Sequence, residues 1–113
     1  MPAYLIQFKY APAAIKGLVG KPDVDHAGQA AAMVASLGGT LLGYWYAFGP
    51  FDGVVLMEAP DNRAAAAVGM AIGGTGETTR LETTVLLTMD EAQAAMRWAA
   101  SATHLPPGES GEQ

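Results

Sequence analysis

Leu41-Leu42-Gly43-Tyr44-Trp45-Tyr46-Ala47-Phe48, Gly49-Pro50-Phe51-Asp52 and Gly53-Val54-Val55-Leu56-Met57-Glu58 read in order as strand, turn and strand. Glycine, proline and aspartate place the punctuation of a hairpin in four consecutive residues, and the aromatic and β-branched residues on either side favour extended chain. The two strands are expected to pair antiparallel. The second carries a further signal, because Val54 and Leu56 point one way, Val55 and Met57 the other, and both sets are apolar. Such a strand belongs at the centre of a sheet whose two faces are both covered.

Before the hairpin, Tyr4, Ile6, Phe8 and Tyr10 alternate with Leu5, Gln7 and Lys9, a period-2 pattern that marks a first strand ended by Pro12. Ala13–Val19 has room for a helical turn or two before Gly20-Lys21-Pro22 breaks it. Val24–Leu37 then sets Ala27, Ala30, Ala31, Val34 and Leu37 along one side of a helix, with Gly38-Gly39 as its stop. After the hairpin, Pro60-Asp61 opens a second helix to about Ile72, ended by Gly73-Gly74. Thr78–Leu87 follows as the fourth strand, with Leu81, Thr83, Val85 and Leu87 on one face. Thr88-Met89-Asp90-Glu91 has the spacing of a capping box and starts a C-terminal helix to about Ala100.

The chain echoes itself. Asp25–Thr40 runs from an acidic start through an alanine-rich helix containing Met33 to Leu-Gly-Gly-Thr; Asp61–Thr75 runs from an acidic start through an alanine-rich helix containing Met70 to Ile-Gly-Gly-Thr. One strand–helix–strand unit written twice gives βαββαβ, the α+β ferredoxin-like arrangement of a four-stranded antiparallel sheet with helices on one face, here with an additional C-terminal helix. The helix-free face of the third strand then needs its own cover. The same face of a second subunit, meeting it in an isologous sheet-to-sheet contact, supplies one.

Length and composition bound the rest. A chain of 113 residues holds one domain, read here as residues 1–100 including the C-terminal helix, followed by a Pro- and Gly-containing tail over 101–113. Hydrophobic residues make up 50% and charged ones 15%, an apolar balance that points to self-association as a homodimer or higher homo-oligomer. The net charge of −5, with basic residues scattered singly, excludes the basic stripe that nucleic acid requires. No apolar run reaches the roughly 18 residues of a membrane span, and the N-terminus lacks a basic segment followed by an apolar one, so the expectation is a cytoplasmic protein without a membrane partner. With no cysteine, disulfides, thiolate metal sites and cysteine nucleophiles are unavailable.

Leu37-Gly38-Gly39-Thr40-Leu41-Leu42-Gly43-Tyr44-Trp45, Gly49-Pro50-Phe51-Asp52, Glu58-Ala59-Pro60-Asp61 and Thr84–Leu87 before Asp90-Glu91 together resemble the GYD-domain family of small bacterial proteins, over roughly residues 4–91. The resemblance implies a ferredoxin-like subunit of the dimeric α/β-barrel group. One departure lies inside the signature: the family's tyrosine is Phe51 here, which keeps the ring and loses the hydroxyl. The wider group includes haem-degrading and cofactor-free monooxygenases, lactone isomerases and ligand-sensing domains, so the resemblance implies architecture more than a reaction.

Two residues stand out for proton chemistry. Asp52, a residue type depleted in strands, is either a structural acceptor for backbone N–H groups of its hairpin or a general base at the end of a cavity. His26, beside Asp23 and Asp25, is either an exposed first-turn residue or half of a His26–Asp52 dyad similar to the histidine–aspartate pair of YCII-like proteins. For ligand contact the candidates are Tyr4, Met33, Tyr44, Trp45, Tyr46, Met70 and Trp98, enough aromatic and thioether surface for a flat, apolar organic molecule between sheet and helices. The same aromatics serve equally well as core or interface. No cofactor or metal is called for, although His104 in the tail leaves haem or a metal open. Three functions follow: a sensing or carrier protein for a small apolar or aromatic ligand, a cofactor-independent monooxygenase or isomerase using His26 and Asp52, and an assembly or interaction protein with no ligand. The serines lie in no nucleophile motif, and Gly73-Gly74-Thr75-Gly76 follows a helix and lacks a phosphate loop's lysine.

Overall fold

The computed structural model describes residues 1–103 and 108; the tail signals at His104 and Pro106-Pro107 lie outside the described residues. The elements run β1 (Ala3–Tyr10), α1 (Pro12–Gly20), α2 (His26–Ser36), β2 (Thr40–Tyr46), β3 (Gly53–Glu58), α3 (Asn62–Gly73), β4 (Thr78–Leu86) and α4 (Met89–Ala99). The sheet order is β2-β3-β1-β4 with every neighbouring pair antiparallel. This is the ferredoxin-like α+β fold, with β1 and β3 central and α4 appended.

Local chemistry accounts for the element ends. Asp25 caps α2 by accepting the Gly28 N–H at 2.9 Å, and Asp61 caps α3 through Ala64 at 2.8 Å, so the two acidic starts of the internal echo perform one task twice. Gly38 follows α2 with a φ of 84°, the left-handed conformation that lets the chain leave the helix without a Cβ clash. Thr88 and Glu91 complete the expected capping box of α4. Ala13–Val19 proves to be part of a nine-residue helix, α1, with proline at its first position, where the missing N–H costs no hydrogen bond.

The strands present a different chemistry on each face. Tyr4, Ile6 and Phe8 of β1 and Val55 and Met57 of β3 turn toward the helices and form the buried core with Val34 of α2 and Ala65 and Val68 of α3. Each large apolar side chain buried this way contributes about 1.5–3 kcal/mol of transfer free energy. The opposite face sets Leu5 against Leu56 and Gln7 against Val54, all half-buried, with Trp45 alongside Val54 and 53% exposed. The helices α1, α2 and α3 all stand on the first face. At the chain's end, α4 buries no residue, and Met89, Met96 and Trp98 are exposed. Among the described residues no helix is long and apolar enough to cross a membrane.

The hairpin is shorter than its aromatic run suggests. β2 ends at Tyr46, because the Ala47 N–H turns back to the Asp52 carbonyl at 2.8 Å and closes the loop there, which leaves Phe48 fully exposed rather than paired. Phe51 settles under Arg80, whose guanidinium carbon lies 5.2 Å from the ring centre. The ring alone suffices for that cation–π contact, so the hydroxyl lost from the family signature is not needed there.

Candidate functional site

A cavity of about 510 Å³ opens between the sheet and the helices α1 and α2. It is lined by Phe8 and Val55 from the sheet, Ala13, Ala14 and Leu18 of α1, Ala30, Met33 and Val34 of α2, and Val68 and Ile72 of α3. Helices made largely of alanine and glycine explain the space, since their short side chains reach the sheet without filling the gap above it. Lys21, His26, Gln29, Thr75 and Glu77 add polar groups to the lining. A concave, mostly apolar volume of this size with a few polar groups is the usual form of a small-molecule site.

At its polar end two phenols meet. The hydroxyls of Tyr10 on β1 and Tyr44 on β2 lie 2.8 Å apart and share a hydrogen bond. Their strands are not neighbours, since β3 runs between them. The bridge depends on Gly53 of β3, where a Cβ would overlap the Phe8 ring. Phe8 therefore lies across the vacant position, edge-on to Tyr10 at 5.2 Å and to Tyr44 at 6.0 Å between ring centres. Tyr46 extends the row, 5.7 Å from Tyr44. Edge-to-face contacts of this kind hold aromatic rings in fixed orientations. Burial is the main cause that pushes both phenols above the ordinary tyrosine range; their mutual hydrogen bond adds to the rise at Tyr10 and offsets it at Tyr44, and the negative charge of Glu77 raises both. Both hydroxyls stay protonated at neutral pH.

The candidates read from sequence divide between the cavity and elsewhere. His26, Met33 and Tyr44 line it. Asp52 does not; its Oδ2 accepts the Tyr10 backbone N–H at 2.9 Å and lies 3.7 Å from the Lys9 ammonium. No hydrogen bond joins His26 to Asp52 among the described residues, so the alternative dyad reading is not assembled: the hairpin claims the carboxylate that the dyad would need, as the structural reading of Asp52 has it. Tyr4 is buried in the core with its hydroxyl donating to Asn62 at 2.7 Å, below rather than inside the cavity. Trp45 lies on the opposite sheet face, because the side chains of a strand alternate and Tyr44 faces the helices. Tyr46 supports Tyr44 from outside the lining. Met70 faces away from the sheet, 75% exposed, and Trp98 borders only a shallow depression on α4.

Sequence reasoning missed Tyr10, Lys21, Gln29 and Glu77. For Tyr10 a signal was present, since period 2 places it on the face of Tyr4, Ile6 and Phe8 and one step nearer the sheet's end, where the core gives way to the cavity. Lys21 and Glu77 lie outside the strands and the long helices, where no periodicity locates a side chain.

The family model of the GYD domain matches residues 4–96. No curated protein matches the chain. Among solved structures, a NIPSNAP-like domain protein from Burkholderia xenovorans is 16% identical, covers 99% of this chain and 97% of its own, and superposes with a TM-score of 0.48. The crystal structure of FFRP-DM1 is 13% identical, covering 77% of this chain and all of its own at a TM-score of 0.46. The family match spans almost the whole described fold, and the chain belongs to the GYD domain family.

Proposed function

We propose that this protein binds a small, largely apolar organic molecule in the cavity between the sheet and α1 and α2, in a sensing or carrier role. The observation that carries this reading is the cavity itself: about 510 Å³, walled by Leu18, Met33, Val55 and Ile72, and ending at the Tyr10–Tyr44 pair. A protein whose aromatic hairpin served only as an interface has no need of such a volume, since interiors otherwise pack without gaps. Binding requires no proton donor–acceptor pair, and the engagement of Asp52 by the hairpin favours it over the monooxygenase or isomerase alternative.

The working form we propose is a homodimer. The half-buried Leu5, Val54 and Leu56, with Trp45 beside them, make an apolar patch on the helix-free sheet face, bordered by Gln7 and the Arg80–Glu82 ion pair. A second copy applied through the same face would cover it by twofold symmetry. Mass spectrometry of solvent extracts from purified protein tests the binding reading. The expected result is a stoichiometric organic molecule recovered from the wild type and lost from Ala30→Trp, a substitution that fills the cavity from α2. Equal recovery from both proteins would contradict it.

A further inference from the structure

Building on the binding reading, we infer that the Tyr10–Tyr44 pair is a single-donor recognition site for a neutral oxygen acceptor, and that the ligand is an aromatic molecule carrying a ketone or comparable carbonyl. Two phenols hold two hydroxyl hydrogens. The 2.8 Å bond between them uses one, whichever tyrosine donates. Among the described residues, no side chain or backbone group accepts the other, so one O–H remains for whatever occupies the cavity both residues line.

The character of that donor selects its partner. A hydroxyl that already accepts a hydrogen bond is polarised by it and donates more strongly, so the pair acts as a short relay ending at the ligand. Phe8, edge-on to both phenols, and Val55, paired with Tyr44, make the approach to that donor apolar and aromatic, which suits a flat aromatic body. Lys21 also lines the cavity, but the charge that acts on both phenols is the carboxylate of Glu77, which an anion bonded to these hydroxyls would meet. A cation could pair with Glu77, but it would leave water for walls of alanine, valine and leucine and would make no use of the free O–H. A neutral carbonyl accepts the one hydrogen available and presents no charge for burial.

A shape-matched probe series separates these possibilities: 2-acetonaphthone, 2-ethylnaphthalene, 2-naphthoate and 1-(2-naphthyl)ethylammonium, each titrated against wild type, Tyr10→Phe, Tyr44→Phe and the double variant Tyr10→Phe/Tyr44→Phe. The expected result is that the double variant weakens 2-acetonaphthone about three- to tenfold, the size of one hydrogen bond, while each single variant, whose remaining phenol keeps an unengaged O–H, loses less and 2-ethylnaphthalene changes less than about twofold in all three. The infrared carbonyl stretch of bound 2-acetonaphthone should move to higher frequency in the double variant as the donor is lost, and by less in each single variant as the relay is broken. Equal effects on ketone and hydrocarbon, an unmoved carbonyl stretch, or a larger loss for either ion would overturn the inference and leave the cavity reading standing. Failure of all four probes to bind the wild type would overturn both.

Discussion

The Asp52 carboxylate accepts the Tyr10 backbone N–H at 2.9 Å, joining residues 42 apart in sequence. The β1–β3 ladder ends where Phe8 meets Gly53, and the register of β1 against β4 shifts between Lys9 and Tyr10. Tyr10 is thus left with an N–H that β3 does not take up, and the side chain of Asp52 supplies the acceptor. The bond fixes the last residue of β1, and with it the phenol that meets Tyr44.

Asp52→Ala should lower stability by about 1–2 kcal/mol, the low end for a bond to a charged acceptor because Asp52 is partly exposed. Asp52→Asn retains a carbonyl oxygen that can accept the same N–H and should cost less than half as much. Urea unfolding midpoints measure both. Equal midpoints for wild type and Asp52→Ala would remove the hairpin role.

A methyl group at Gly53 would overlap the Phe8 ring, whereas one at Gly49 meets nothing within 4 Å. Gly53→Ala is expected to destabilise by about 1–3 kcal/mol through displacement of Phe8 and the tyrosines against it. Gly49→Ala should stay within about 0.5 kcal/mol of wild type. Thermal unfolding of the two variants side by side decides this, and a benign Gly53→Ala would mean that Phe8 has another place to go.

Phenol ionisation provides a pH test. Tyr10 and Tyr44 are both raised above the usual tyrosine value near 10. In the unfolded chain they would lose their protons first, so between the unfolded and folded values the folded state binds more protons. Their contribution to stability is complete below pH of about 10 and falls as pH rises above it. Ultraviolet titration should show Tyr10 and Tyr44 ionising only well above the ordinary range, or on alkaline unfolding. Four tyrosines titrating together near pH of about 10 in folded protein would contradict the burial of the pair.

The dimer proposed from the sheet face has its own test. Leu56 stands opposite Leu5 on that face, half-buried, so Leu56→Lys would leave a charge in the contact without a partner. The expected result is a dimeric mass for wild type by light scattering and a monomeric one for the variant, with dimerisation weakened by about 2 kcal/mol or more. A wild type that stays monomeric at high concentration would end the proposal.

The sheet is legible in the amino-acid sequence because strands and helices obey their periods locally: alternation in Tyr4–Tyr10 and in Val54–Met57, and the doubled helix with its acidic cap, mark the elements one by one. The site is harder to read because it lies between elements. Tyr10 and Tyr44 meet across β3 beside the Phe8 ring, which occupies the space that a side chain at Gly53 would take, and Lys21 and Glu77 arrive from connections whose path no periodic pattern encodes. The candidates that landed elsewhere show the same limit. Trp45 is one residue out of phase with Tyr44, and Met70, placed by the echo opposite Met33, falls on the outward side of its helix.

The most direct test of the central claim, that the cavity beneath α1 and α2 receives a ligand, is a protein NMR titration with 2-acetonaphthone. Chemical-shift changes should concentrate on Tyr10, His26, Met33, Tyr44 and Ile72, which line the cavity, and vanish in Ala30→Trp. Changes confined to Trp45 and Leu56 on the opposite face, or to α4, would contradict it.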